Sequence, residues 1–256
     1  MTMTRTGTGT NAAPDSIGAD LHRTARTTGL LYLAFFITGI LGSMLVRGQL
    51  FAADDPQGTL SNLMQHGSLA RVGIVLELGI VLTQALTALW FYRLFRSVDT
   101  WAAGALAAFG MVNAVAILGS AALLATALDV ARNASLAAPG GAAATVQLLY
   151  VASGHLWGVA AMFFGLWLIP MGWLVVRSNW LLLPLGWILI AGGAGYLVSA
   201  FVSYAFPNAD LAAQLLTVPA TIGEIWITGY LVILGIRDHA RPDRESARVA
   251  AFARRP

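Results

Sequence analysis

The chain has 256 residues, 57% hydrophobic and 11% charged, with a formal net charge of +3. A soluble domain carries about 25% charged and about 45–50% apolar residues, so a water-wetted fold is excluded and an integral membrane protein is the direct reading. There is no cysteine and no lysine, which excludes disulfides, thiolate metal sites, cysteine nucleophiles and Schiff-base chemistry.

In chain order, residues 1–25 open with a Thr-, Gly- and Ala-rich segment without apolar periodicity and are expected to form a disordered cytoplasmic tail. The apolar run that follows is long enough to span a bilayer and lacks a small-residue cleavage site. It reads as a retained first helix over 28–46. A loop with Asp54, Asp55, Pro56 and Gly58 follows. Thr59 is expected to cap a short amphipathic helix at the membrane surface. Further spans are expected over 71–92, 101–128, 145–176 and 180–206. The fourth overshoots one bilayer thickness, so it must tilt or project. A separate amphipathic piece at 211–218 precedes a sixth span over 219–236, with Pro219 in its first turn. Residues 238–256 form a charged cytoplasmic tail.

Orientation follows from the arginines. The two tails, the 2–3 loop and the 4–5 hinge at Arg177 hold twelve, and the opposite side holds Arg47, Arg71 and Arg132. This asymmetry places both termini in the cytoplasm, consistent with an even number of spans. The expected fold class is an all-α membrane protein, a bundle of six transmembrane helices. The arginines are scattered at helix ends and not gathered in one patch with aromatics, so nucleic acid is not an expected partner.

Ionisable groups within the hydrocarbon cost roughly 2.5–3.5 kcal/mol each by insertion scales unless paired or wetted. Three fall in the outer half of the predicted spans: Glu77, His155 and Glu224. Polar residues extend these positions at helical spacing: Gln84 with Glu77, Asn113 with Ser120, and Tyr196 with Ser199 and Ser203. The sharp reading is an outward-facing polar cavity built on Glu77, Gln84, Asn113, His155, Tyr196, Ser199 and Glu224. The plainer one is that these groups bind helix to helix. One membrane histidine is too few for a metal site. No Walker loop, G-x-S-x-G or H-E-x-x-H is present, so no cofactor, metal or catalytic residue is expected. Gly192 and Gly195 are expected to allow close helix packing, and Arg177 to mark the inner face.

A resemblance enters at the fourth and fifth spans. Gly165, Leu166, Leu168, Gly172 and Leu174 end in Arg177-Ser178. Pro184-Leu185-Gly186 opens the next helix, which closes with Gly195-Tyr196-Leu197. This pattern resembles the signature of a bacterial multi-pass membrane family catalogued as domain of unknown function 4386. Arg26 to Tyr32 and the stretch from Pro219 through Gly223-Glu224 to Arg237 resemble its first and last spans. The family's usual basic residue between the proline and Leu-Gly is missing here. The resemblance implies six spans in a bacterial inner membrane and no activity.

Two functional classes therefore compete. One is an interaction or regulatory membrane protein, with a partner membrane protein or a second copy as its target. The other is a proton-coupled transporter or solute-binding subunit for a small polar or cationic solute. A membrane enzyme using His155 and a glutamate is third. The lipid bilayer is a partner in every case.

Overall fold

The computed structural model describes residues 14–206 and 208–237. Among these residues the protein is all-α, with no strand. The helices are α1 (Pro14–Ile40), α2 (Gly48–Leu50), α3 (Pro56–Gln65), α4 (Gly67–Phe95), α5 (Thr100–Arg132), α6 (Gly141–Ser178), α7 (Leu183–Ala205) and α8 (Asp210–Ile233). A π-helical stretch, Leu41–Arg47, joins α1 to α2. Each long helix packs on the next one in the chain, and α8 returns to α1, closing a ring.

Among the described residues five helices, α4 to α8, are long and apolar enough to cross a membrane. α1 falls short because its first half carries Asp15, Asp20, Arg23 and Arg26, and the apolar run continues past it into the π-helical stretch. The outward faces bear Val75, Leu82, Val115, Phe201 and Ile225, each more than half exposed. A row of this kind needs an apolar solvent.

Several element boundaries differ from the sequence-based expectation. α1 begins at Pro14, so the second half of the expected tail is helical. Its threonines support this: Thr24 and Thr28 donate to the carbonyls of Asp20 and Thr24, each at 2.8 Å. Residues 1–13 and the expected tail at 238–256 lie outside the described residues. Asp55, not Thr59, caps α3, accepting from the Gly58 N–H at 2.8 Å. Thr59 is buried and donates to Gln147 Oε1 of α6 at 2.8 Å. The expected break before Pro219 is absent, and α8 runs through it. A proline removes one helical hydrogen bond. Here the preceding turns still pack, with Ala213 buried and the Leu216 carbonyl against Gly195.

One end of the bundle collects the α4–α5 turn, the α6–α7 hinge, and the junction of α1 with α8. Arg177 donates to Asp99 Oδ2 at 3.1 Å, and the Arg237 N–H donates to the Trp180 carbonyl at 3.0 Å. Gly235, at φ 74°, packs against His22. Asn179, at φ 56°, ends α6 in the left-handed region that asparagine tolerates.

Asp99 caps α5, accepting from the Ala102 N–H at 3.1 Å. That bond, followed by weaker help from Trp173 and Arg177, holds its carboxyl below the usual carboxylate range. A carboxyl depressed in the folded state stabilises above its unfolded pKa of about 3.9 and loses that stabilisation as pH falls through the folded value. Asp99→Ala is expected to lower the melting midpoint by a constant amount between pH 5 and pH 7. The difference from wild type should shrink below about pH 4. Differential scanning fluorimetry across pH checks this.

Candidate functional site

In the half of the bundle away from Arg177 lies a cavity of about 580 Å³. Among the described residues its walls come from the end of α1, the π-helical stretch and α2, α4, α5 and α6, and are mostly apolar, with Glu77 and Arg47 as the charged members. Phe35, Phe36, Ile80, Tyr150 and Trp157 supply much of the surface. Gly39 and Gly42 leave room on the α1 side: a Cβ added at Gly39 would meet nothing within 4 Å. π-helical turns are rare and recur beside functional sites. This one ends at Arg47, which lines the cavity.

Glu77 is 7% exposed. Its Oε1 accepts from Ser120 Oγ and from Trp157 Nε1, each at 3.2 Å. Its Oε2 is buried and, among the described residues, has no hydrogen-bond partner. Ser120 lies 2.8 Å from Ser153 Oγ, and Arg47 donates to Ser153 Oγ at 3.0 Å and to the Tyr150 carbonyl at 2.8 Å. The guanidinium also sits over the rings of Phe51 and Tyr150, at 5.6 and 5.8 Å from their centroids. Ser120 has one hydroxyl hydrogen and donates it to Glu77, so the bond between the serines runs from Ser153 to Ser120. Arg47 donates to Ser153, Ser153 to Ser120, and Ser120 to Glu77.

Of the seven residues the sequence singled out for a cavity, Glu77 alone lines this one. Gln84 and Asn113 pair with each other, the Asn113 amide donating at 2.9 Å. Glu77–Ser120 and Gln84–Asn113 are thus two rungs of one seam between antiparallel α4 and α5, two turns apart. Ser199 donates to the Tyr196 carbonyl of its own helix at 2.9 Å. The Tyr196 ring is edge-on to Phe164 at 5.4 Å. Glu224, 3% exposed, accepts from the Tyr32 hydroxyl, which links α8 to α1. His155 is exposed, with Nδ1 3.4 Å from the Tyr204 hydroxyl. Glu77, His155 and Glu224 therefore occupy three separate environments. On α6 the buried face runs through Val146, Tyr150, Ser153 and Ala160. Two residues on from Ser153, at 100° per residue, His155 must face nearly the opposite way.

Sequence reasoning missed Arg47 as a site residue, having left it in an outer loop, and it missed Tyr150, Ser153 and Trp157. The last three recur at helical spacing on one face, a signal the isolated histidine outweighed. A Cβ on Gly192 or Gly195 would strike the backbone of α8, at Ala220 and Leu216 respectively.

Outward apolar faces, five helices among the described residues long and apolar enough to cross a membrane, and an interior holding paired polar groups mark an integral, multi-pass α-helical membrane protein. The chain belongs to the family described as domain of unknown function (DUF4386), whose model matches residues 27–235. Neither the curated proteins nor the solved structures yield a match.

Proposed function

We propose that the protein is a six-span protein of the bacterial inner membrane, with both termini cytoplasmic, that binds a small solute in the cavity between α1, α4 and α6. The sixth span is α1 continued through the π-helical stretch. Its place in the ring, between α4 and α8, supports this. The arginine asymmetry supports the orientation, since Arg93, Arg96, Arg177 and Arg237 fall at the end that carries the Asp99–Arg177 pair. The cavity then opens toward the outer half of the bilayer. The observation that supports solute binding is the cavity itself, whose largely apolar wall carries the Glu77 and Arg47 side chains. A cavity of this size falls within the range of small-molecule sites, about 300–1,000 Å³.

Gly39→Leu tests the reading. The new side chain projects into the empty space beside α1 and replaces a helical glycine, which by itself favours the helix by about 0.5–1 kcal/mol. The variant is expected to melt at or above the wild-type midpoint. Small polar and cationic solutes that raise the wild-type midpoint in nanodiscs should leave the variant's unmoved. Equal stabilisation of both proteins would place binding elsewhere and overturn the proposal.

A further inference from the structure

The cavity runs along the helix axes. On α4 its wall is one face, Ala70, Gly73, Glu77 and Ile80, three and four residues apart. From Ala70 to Ile80, at about 1.5 Å per residue, that wall extends about 15 Å. α1 lies antiparallel against it: a Cβ at Gly73 would meet Val46, and one at Gly42 would meet Leu76 and Ile80. Arg47, Leu50 and Tyr150 therefore mark one end, and Phe35, Phe36 and Trp157 the other. Charge is offered at the first end alone. Glu77 withholds its carboxylate, since Oε1 accepts from Ser120 and Trp157 and Oε2 is buried. Arg47 is half-buried, and among the described residues no carboxylate lies within 4 Å of it. Of its five N–H donors, the bonds to Ser153 and to the Tyr150 carbonyl use two. The stacked rings of Phe51 and Tyr150 hold the guanidinium in place.

Resting on the solute-binding reading above, we infer that the solute is an anionic amphiphile, its carboxylate or phosphate held by Arg47 and its alkyl chain lying along the apolar wall toward Phe35 and Ile80. A guanidinium matches carboxylate and phosphate oxygens with paired, charge-assisted hydrogen bonds. A cationic head would set a second positive charge beside it in apolar surroundings, and a neutral head would leave it without a counter-charge. The far end calls for a chain, because its walls are aromatic and aliphatic. Ile40, in that wall, is more than half exposed, so the apolar end is not sealed by protein. Lipid tails are as apolar as the wall, so the choice among amphiphiles falls on the head group and on Arg47. A free fatty acid and an anionic phospholipid both carry this chemistry.

The test uses the full chain in phosphatidylcholine nanodiscs, which contain no anionic lipid, with empty nanodiscs as the blank for partitioning. The probes are dodecanoate, lysophosphatidylglycerol, dodecanol and dodecyltrimethylammonium, followed by titration calorimetry. At least one of the two anions is expected to bind tenfold or more tighter than dodecanol and the cation, a difference of about 1.4 kcal/mol or more. Dodecanoate alone doing so identifies a fatty acid as the source, lysophosphatidylglycerol alone a phospholipid, and both a site that reads the charge whatever carries it. Arg47→Gln should bring the anions to within about threefold of dodecanol. Unchanged anion binding in that variant would overturn the inference. If Arg47→Gln does not fold, the ranking of head groups on the wild type decides, and Gly39→Leu, which fills the path of the chain, should weaken the anions tenfold or more. Dodecanol or the cation binding as tightly as the anions would overturn this inference while leaving the solute site standing. So would the absence of all four probes where Gly39→Leu still removes stabilisation by another solute. If none of the probes binds and Gly39→Leu changes no solute's effect, both readings fall.

Discussion

Gly193→Leu is expected to prevent the protein from accumulating as a folded, monodisperse species. In lipid no hydrophobic driving force separates a helix pair from its surroundings, so association depends on close packing of small residues. α6 and α7 meet through two glycine pairs, Gly165 with Gly193 and Gly172 with Gly186, two turns apart on each helix. A Cβ at Gly193 would lie 2.7 Å from the Gly165 carbonyl oxygen and 2.8 Å from Ile169 Cγ1. One at Gly165 would lie 2.8 Å from the Gly193 carbonyl oxygen. The obstacle on each side is backbone, which cannot rotate away as a side chain can. Overpacking a core commonly costs about 1–3 kcal/mol. Here the whole helix must move, so the loss should reach or exceed the upper end. Gly229→Leu is the matched control, since nothing lies within 4 Å of a Cβ there. Fluorescence-detected size exclusion should show a sharp peak for the control and aggregation for Gly193→Leu. Equal profiles would mean that α6 and α7 are not held at glycine contact.

Tyr32→Phe carries the second large effect. The Tyr32 hydroxyl is the donor to Glu224 Oε1, and both residues are buried, at 0% and 3% exposure. The ring is held edge-on to Phe91 and Trp167, at 5.6 Å from each. Phenylalanine would keep that packing and remove only the donor. The stranded carboxyl should lower stability by about 1–3 kcal/mol, and by more where it is ionised. The contact fastens α8 to α1, so the loss falls on the closure of the ring. Tyr32→Phe combined with Glu224→Leu removes both polar partners and should recover stability relative to Tyr32→Phe alone. A double variant as unstable as the sum of the single ones would show that the two groups do not interact.

How much was legible in the sequence depended on periodicity. Long apolar runs revealed the class and most helices, because bilayer thickness imposes a length that composition displays directly. The glycine contacts were legible at Gly192 and Gly195 for the same reason: small residues inside a spanning helix have few other uses. The α4–α5 seam was half legible. Glu77 with Gln84, and Asn113 with Ser120, stood out as stripes, but a stripe does not say which stripe it meets. The site itself was hidden by the turn chemistry around Arg47. An arginine ending an apolar run reads as a loop marker, and only the π-helical stretch and α2 return it to the bundle beside Ser153. His155 misled because rarity in a membrane helix signals function, whereas its own helix face turns it away from the interior. The boundary at Pro219 shows the same limit. Proline and small polar residues mark a break only where no neighbouring helix rewards continuation.

The central claim, a cavity beside Glu77 reached from outside the cell, is tested most directly by cysteine labelling, since the chain has no cysteine of its own. Gly39→Cys places a thiol in the open space of the cavity wall, and Ala88→Cys, at a position 0% exposed, serves as the buried control. In intact cells a membrane-impermeant methanethiosulfonate is expected to modify Gly39→Cys and spare Ala88→Cys. Modification of Gly39→Cys only in inverted vesicles, or at the rate of the buried control, would contradict the account.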